Sequence, residues 1–413
     1  MKKKLLITLF IMSAFKINAQ QVSFSIQAHQ DDWQLFMSTK ILADLSVSDI
    51  LNPKMVFITF TAGDEGNGVN AFGAATVPYY LAREKGSLYS SKFASDISGG
   101  ILAIVPTVQI ATVNGHKISK YIYGKTVNYF LRLPDGNTTG AGYANTGFES
   151  LQRLQTRKIK SISSIDRLTK YTSWSDLTNT IKAIIVLEKG NDNQVWMYTP
   201  SLNTTNNPGD HSDHKYASTA VQDAVKNMLW VGIDEFINFQ SSALADNLNV
   251  SDHEDAAAIF SVCDRGLIES KYSSTFNAAH KAWLPMEYHN IKRSPTGSAP
   301  FAPIFESLAE DNSSSVISGR TDGLTEIPML VSVVSPVSVG NNIKMLLKPS
   351  EPGQLNTFIS DLYGKLLYQK NTKVENTGPL VISLDNPSIL PGVYIVKNIL
   401  NGKYVDSKKI VIQ

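Results

Sequence analysis

The chain has 413 residues, 43% of them hydrophobic and 18% charged, which excludes a disordered chain, a coiled coil, collagen and a polytopic membrane protein. Thirty-eight Lys and Arg against 36 Asp and Glu give a formal charge of +2, so neither nucleic acid nor an anionic membrane surface is an expected partner. At about 100–200 residues per domain, the length predicts two or three domains, each with ample core.

Lys2, Lys3 and Lys4 precede an apolar run from Leu5 to Phe15, and Ile17-Asn18-Ala19 offers a small residue for cleavage. The run ends at Lys16, too soon for a membrane span, so residues 1–19 read as a secretory signal peptide, with an uncleaved anchor as the alternative. Cleavage removes four lysines and takes the formal charge from +2 to −2. The mature chain is expected to be secreted or held at the outer cell surface, without a transmembrane domain. The single cysteine, Cys263, rules out an intramolecular disulfide and sits in an apolar context that suits a buried, inert thiol.

Val22-Ser23-Phe24-Ser25-Ile26 reads as a strand that ends in Ala28-His29-Gln30-Asp31-Asp32, and Trp33 to Leu45 reads as a helix. Met55 to Phe60 is apolar on both faces, as a buried parallel strand is, and stops at Thr61-Ala62-Gly63-Asp64-Glu65-Gly66. Residues 74–87 look helical. Ile181 to Leu187 reads as a helix end or a strand, Gln194 to Thr199 as a strand and residues 214–229 as a helix. This alternation predicts an α/β domain over residues 20–310 with a mainly parallel sheet flanked by helices. Ligands of such sheets bind beyond the carboxyl ends of the strands, where His29-Gln30-Asp31-Asp32, Gly63-Asp64-Glu65 and His211-Ser212-Asp213-His214 would all lie.

Residues 311–329, with Asp311-Asn312-Ser313-Ser314-Ser315, read as a linker. From 330 to 413 short alternating strands are separated by the turns Tyr363-Gly364-Lys365, Pro391-Gly392 and Asn401-Gly402, without helical periodicity. That pattern predicts a separate, small all-β sandwich.

The chemistry is concentrated in two clusters. A histidine and a carboxylate three residues apart can ligate one metal where the chain turns into a helix, and a second histidine from elsewhere completes a three-ligand face. A set of nitrogen and oxygen ligands without thiolate fits Zn2+, while Fe(II), Co(II) and Mn(II) suit it as well. A spare aspartate and a spare histidine supply a general base and a charged donor. The bland alternative is surface histidines in acidic capping turns.

Ala28-His29-Gln30-Asp31-Asp32, Thr59 to Gly66 and His211-Ser212-Asp213-His214 together resemble the PIG-L/LmbE family of zinc-dependent N-acetylglucosamine deacetylases, over roughly residues 20–290. The resemblance implies a Rossmann-like fold and removal of acetyl from N-acetylglucosaminyl compounds. It implies His29, Asp32 and His214 as metal ligands and Asp31 as general base. His211 would stabilise the oxyanion or protonate the amine, and Asp213 would orient a neighbouring histidine. The sequence departs from the family pattern at Gln30, where proline is common, and at Trp33, where glutamate is common. Trp33 is expected to alter the pocket wall. Arg83 stands where the family has a substrate-contacting arginine, and Asp135, in Leu133-Pro134-Asp135-Gly136, resembles a sugar-binding loop aspartate. Tyr198 is a candidate for the pocket lining. His253, His280 and His289 are expected to be structural, and His116 a loop residue.

The C-terminal segment resembles the sorting domain of the type IX secretion system of Bacteroidetes, through Asp361 to Leu367, Leu390 to Val396 and Lys408-Lys409-Ile410-Val411 before Gln413. The usual Pro-Asn-Pro near its start is replaced by Ser335-Pro336-Val337. The secretion machinery is therefore one expected partner, and an N-acetylated sugar or glycan the other. Against these stand a metal-dependent amidase acting on another acyl amide, and a non-catalytic glycan-binding surface protein.

Overall fold

The structure is a computed structural model that describes residues 21–46, 53–98, 106–190, 192–296, 329–333, 343–349, 351–361, 366–377, 380–384, 389, 392–401 and 403–412. The expected signal peptide and the expected linker up to residue 328 lie outside the described residues, as do Ser335-Pro336-Val337 and the turn at Tyr363-Gly364-Lys365.

Strand β1 (Val22–Gln27) is buried along its whole length, as its position inside a sheet requires. A short helix α1 (Asp32–Phe36) and a second, α2 (Ser38–Leu45), return the chain to β2 (Lys54–Thr61), which pairs parallel to β1 with Val22 opposite Lys54. The single helix expected from Trp33 to Leu45 is thus broken at Met37, whose φ of −139° is not helical. Helix α3 (Tyr79–Ile97) starts at Pro78, so the helix expected over 74–87 begins and ends later. Proline fixes its own φ and lacks an N–H, which suits a helix start.

The chain then forms the antiparallel strands β3 (Thr107–Val113), β4 (His116–Tyr123) and β5 (Thr126–Leu133). Helix α4 (Leu151–Gln155), the two-stranded ribbon β6 (Ile162–Ser163) and β7 (Lys170–Tyr171), and helix α5 (Trp174–Lys189) follow. Ile181 to Leu187 therefore belongs to the last turns of a helix, which the Ser173 hydroxyl caps by accepting the Asp176 N–H at 3.1 Å. Strand β8 (Val195–Pro200), helix α6 (Ser212–Val225), strand β9 (Val231–Phe236), helices α7 (Val250–Glu269) and α8 (Ala278–Lys281) and strand β10 (His289–Arg293) complete this part.

The sheet runs β10-β9-β8-β1-β2-β5-β4-β3, parallel from β9 to β5 and antiparallel at both edges. It is covered on both faces. Phe24, Ile26, Val56 and Ile58 pack with Ile181 and Ile184 of α5 and Ala217 and Val221 of α6. Met55 and Phe57 point the other way and pack with Trp33, Phe93, Ile259 and Phe260 of α1, α3 and α7. Opposite faces follow from the two-residue period of a strand. From β1 the chain leads to β2 on one side, while β8 flanks it on the other, so a crevice opens at the carboxyl ends of β1 and β8.

The C-terminal strands form two antiparallel sheets. One is β11 (Met329–Val333), β12 (Ile343–Pro349) and β15 (Leu380–Leu384), in the order β11-β12-β15. The other is β14 (Leu366–Val374), β13 (Gly353–Asp361), β16 (Gly392–Leu400) and β17 (Lys403–Ile412). Met345, Leu347 and Ile382 of the first share one buried cluster with Leu355, Val396 and Ile410 of the second, which is the core of a sandwich. The α/β fold with a small all-β sandwich is therefore the observed architecture. Among the described residues, no helix is long and apolar enough to cross a membrane.

Candidate metal centre

His29, Asp31 and Asp32 follow β1 directly, and Asp135 follows β5. His211, Asp213 and His214 open helix α6 after the loop that leaves β8. Because those strands are parallel, the segments meet at one sheet rim. His211 itself is the N-cap of α6: its Nδ1 accepts the Asp213 N–H at 3.1 Å. That bond fixes the ring tautomer with the proton on Nε2.

Asp32 is anchored from below. Its Oδ2 accepts the N–H groups of Ala28 at 2.7 Å and His29 at 2.9 Å, which leaves Oδ1 facing the histidines. His214 Nε2 lies 3.2 Å from Asp32 Oδ1, and His29 Nδ1 lies 3.6 Å from it. One ligand atom from each of His29, Asp32 and His214 lies within 4.8 Å of the other two, and all three residues are buried. The far side of each imidazole meets a carboxylate: Asp213 Oδ2 stands 3.6 Å from His29 Nε2, and Asp210 Oδ1 stands 2.8 Å from His214 Nδ1. Asp213 is in turn held by the Gly136 N–H at 2.8 Å. Carboxylates behind ligating histidines orient the rings and raise their basicity.

These residues fit a divalent cation. The Nε2 of His214 is buried and without a hydrogen-bond partner, although it points at a carboxylate, and a buried polar atom left so is costly. Asp31, Asp32, Asp135, Asp210 and Asp213 crowd the rim, while Arg83 supplies fixed positive charge among the cavity residues. Burial opposes protonation of His29, yet Asp213 and Asp32 outweigh it and lift its pKa to about 10. Burial likewise opposes His214, and Asp210 and Asp32 raise it well above the ordinary range. Burial pushes Asp32 up, but His214 and His29 hold its carboxyl well below the usual range. His211 differs. Burial, together with His29 and His214, holds its pKa down to about 2, so this ring is neutral.

The centre opens into a cavity of about 280 Å³. One wall is polar, with Asp31, Glu65, Arg83 and Asp135. The other is apolar, with Leu35, Phe36, Phe239 and Trp283. Phe239 and Trp283 stack with centroids 5.1 Å apart, and Phe239 meets the His214 ring edge-on at 5.1 Å. Arg83 forms an ion pair with Asp31 and donates from Nη1 to the Gly63 carbonyl at 2.8 Å. Gly63 has a φ of +51°, which favours glycine, and a Cβ there would stand 2.5 Å from Arg83 Nη1 and displace the guanidinium. Asp135 accepts the Asn137 N–H at 2.8 Å and the Glu65 N–H at 3.3 Å.

No protein-family model matches the chain, and no curated protein does. Among solved structures the chain is similar to the teicoplanin deacetylase Orf2 in its zinc-inhibited form, with a TM-score of 0.33, 9% identity and coverage of 61% of this chain and 87% of that one. It is similar also to the N,N'-diacetylchitobiose deacetylase of Pyrococcus horikoshii, with a TM-score of 0.31, 13% identity and coverage of 61% and 71%.

Eight of the nine residues singled out from the sequence are brought together here: His29, Asp31, Asp32, Arg83, Asp135, His211, Asp213 and His214. Tyr198 is not. It lies 1% exposed on β8, and its hydroxyl bonds Asp44 in the core, so it does not line the cavity. Trp33 is also buried, packed on Phe57 with centroids 5.0 Å apart, and leaves the pocket wall untouched. Gln30 donates from Nε2 to the carbonyls of Thr61 at 3.2 Å and Ala62 at 2.9 Å, and so ties the ends of β1 and β2 together. His280, expected to be structural, lines the cavity beside Trp283. His116 opens β4 and bonds Asp176 at 2.9 Å, and His289 pairs with Asp234. Cys263 is buried, and burial pushes its thiol pKa up. Asp210 was not singled out from the sequence. Its place four residues before His214, at a helix start, is the signal that marks it.

Proposed function

We propose that the chain is a metal-dependent deacetylase that hydrolyses the acetamide of N-acetylglucosamine-type sugars or glycans, with Zn2+ as its metal. The observation that carries this reading is the convergence of His29, Asp32 and His214 on one point, with Asp31 lining the same cavity. A divalent cation bound there supplies Lewis acidity toward the amide carbonyl and activates water. Asp31 accepts the proton of the attacking water and passes it to the amine nitrogen as the C–N bond breaks. His211, neutral and carrying its proton on Nε2, donates a hydrogen bond to the oxygen that becomes negative. Asp210 holds the ring of His214 in register, and Asp213 faces the ring of His29 at 3.6 Å. Arg83 and Asp135 offer a donor and an acceptor to the sugar hydroxyls from the polar wall.

The reading includes an address. Residues 1–19 serve as signal peptide, the chain is secreted or held at the outer surface, and the C-terminal sandwich engages a type IX secretion machinery. The sequence features given above support this part.

The apolar wall of Leu35, Phe36, Phe239 and Trp283 favours one second reading, an amidase whose substrate carries a bulkier acyl group. Rates on N-acetyl and N-hexanoyl glucosamine separate the two. The deacetylase reading expects the acetyl compound to be the faster by tenfold or more, and the reverse order would replace it with the amidase.

A further inference from the structure

From His214 outward, the apolar wall of the metal cavity is a series of ring contacts. Phe36 and Phe239 meet the His214 ring edge-on, with centroids 6.2 and 5.1 Å away. Trp283 stacks on Phe239 at 5.1 Å with the planes 16° apart, and His280 meets Trp283 edge-on at 5.5 Å. All of these residues line one and the same cavity, so the wall runs without a break from a metal ligand to His280.

His280 is held from behind. Its ring stacks on Phe260 with centroids 5.6 Å apart and planes 10° apart. Asn277 caps the short helix α8, and its Oδ1 accepts the N–H groups of Ala279 at 3.0 Å and His280 at 3.2 Å. Those two donors identify the Asn277 atom as the oxygen, so His280 Nδ1, 3.1 Å from it, carries a proton. In the uncharged ring Nε2 is then an acceptor, and among the described residues no hydrogen bond or ion pair engages it. His280 thus brings a hydrogen-bond acceptor to the end of a wall formed by Leu35, Phe36, Phe239 and Trp283.

This arrangement selects what the amide nitrogen carries. Hydrolysis places the amide carbonyl at the metal, and its two substituents extend away from His214. Phe36 and Phe239, against the His214 ring, suit the acetyl methyl. Trp283 and His280, one ring farther out, meet the group on nitrogen. A plain alkyl or aryl group there would cover Nε2 without giving it a donor, which is costly. A carboxylate would set one acceptor against another. A pyranose fits both neighbours: C–H bonds make its faces apolar, and hydroxyls around its rim donate. One face can lie on the Trp283 indole while a rim hydroxyl donates to Nε2. We propose that His280 is a specificity-determining residue, which accepts a hydrogen bond from a hydroxyl of the sugar ring that bears the acetamide. The proposal rests on the deacetylase reading, and it sets this end of the wall against amides that carry no hydroxyl.

The test uses the full chain loaded with zinc, N-acetylglucosamine and its 3-, 4- and 6-deoxy forms, and the variant His280→Phe. Phenylalanine keeps a ring on Phe260 and removes Nε2. On the parent sugar the variant should lose about tenfold in kcat/KM, the scale of one neutral hydrogen bond, with the loss carried by KM and the metal content unchanged. One deoxy sugar should show the same loss with the native protein and no further loss with the variant, because the bond is already gone. A merely structural role for His280 would weaken all the sugars alike. Equal losses on every sugar, or none on any, overturn the assignment of His280 and leave the deacetylase reading standing. Calorimetric titration of zinc-loaded Asp31→Asn protein, with and without His280→Phe, reads binding without turnover. If the native protein releases no acetate but His280→Phe weakens binding of the parent sugar and spares one deoxy sugar, the recognition stands and the deacetylase reading falls. Absence of both release and binding overturns both.

Discussion

Asp210 Oδ1, four residues earlier in the chain, lies 2.8 Å from His214 Nδ1, and this contact directs His214 Nε2 toward Asp32 at 3.2 Å. The ring is 0% exposed, so it cannot reorient through solvent. Asp210→Ala should lower metal affinity by about 10–100-fold, the usual cost of losing such a carboxylate. Competition with a calibrated chelator measures it. Unchanged affinity would show that packing alone fixes the ring.

Asp31 and His214 separate catalysis from metal binding. Asp31→Asn should keep the metal and lower kcat by about a hundredfold or more, the scale of general base catalysis. His214→Ala should lose the metal. Metal content by mass spectrometry, beside turnover, checks both, and a metal-replete His214→Ala protein would contradict the ligand assignment.

Gly86 of α3 and Gly266 of α7 allow their helices to touch backbone to backbone. A Cβ on Gly86 would stand 2.1 Å from the Cys263 carbonyl oxygen, and one on Gly266 would stand 2.3 Å from the Gly86 nitrogen. Gly86→Ala forces the helices apart and should cost about 1–3 kcal/mol or more. Thermal unfolding measures the loss, and an unchanged Tm would contradict this packing.

Glu188 predicts an acid-side pH dependence. Burial pushes its carboxyl up, but Lys120, Tyr129 and Lys54 outweigh burial and hold it below the ordinary value. Lys120 Nζ is 2.6 Å from Oε1 and Lys54 Nζ is 3.3 Å from Oε2. A carboxylate lowered on folding stabilises fully above its unfolded pKa, about 4.3. That stabilisation is lost as pH falls through the lower folded value. Denaturant midpoints measured from pH 6 down to 3 should therefore fall more steeply in the native protein than in Glu188→Gln. Parallel curves would exclude Glu188 as a source of acid sensitivity.

Gln30 tests how a departure from the resembled family is accommodated. Its Nε2 serves two buried carbonyls, at Thr61 and Ala62. Gln30→Ala leaves both without that donor and should destabilise by about 1–3 kcal/mol. A smaller loss in calorimetric unfolding would mean that water replaces the amide.

The parts of the site legible in the sequence are those fixed by local chain geometry. His29, Asp31 and Asp32 leave the end of a fully buried strand, and His211, Asp213 and His214 open a helix. Type and spacing therefore reveal them. What the sequence conceals depends on side-chain direction or distant packing. Tyr198 sits on a central strand covered on both faces, where alternation gives no outward side, and it turns to Asp44. Trp33 turns inward on Phe57 because α1 lies flat on the sheet. His280 and Trp283 reach the cavity from the far end of the domain, and no pattern near the motifs announces them. The same holds for the fold. The apolar run of β2 marks a buried parallel strand. The antiparallel strands β3, β4 and β10 at the edges of the sheet are mixed in polarity, and only their pairing defines them.

Acetate release by the full chain from N-acetylglucosamine and its oligosaccharides, before chelation, after chelation and after restoration with zinc, tests the central claim most directly. The account expects release that chelation abolishes, that zinc restores, and that Asp31→Asn lacks while still binding the metal. No release from any of these sugars by protein shown to hold zinc at His29, Asp32 and His214 would contradict it.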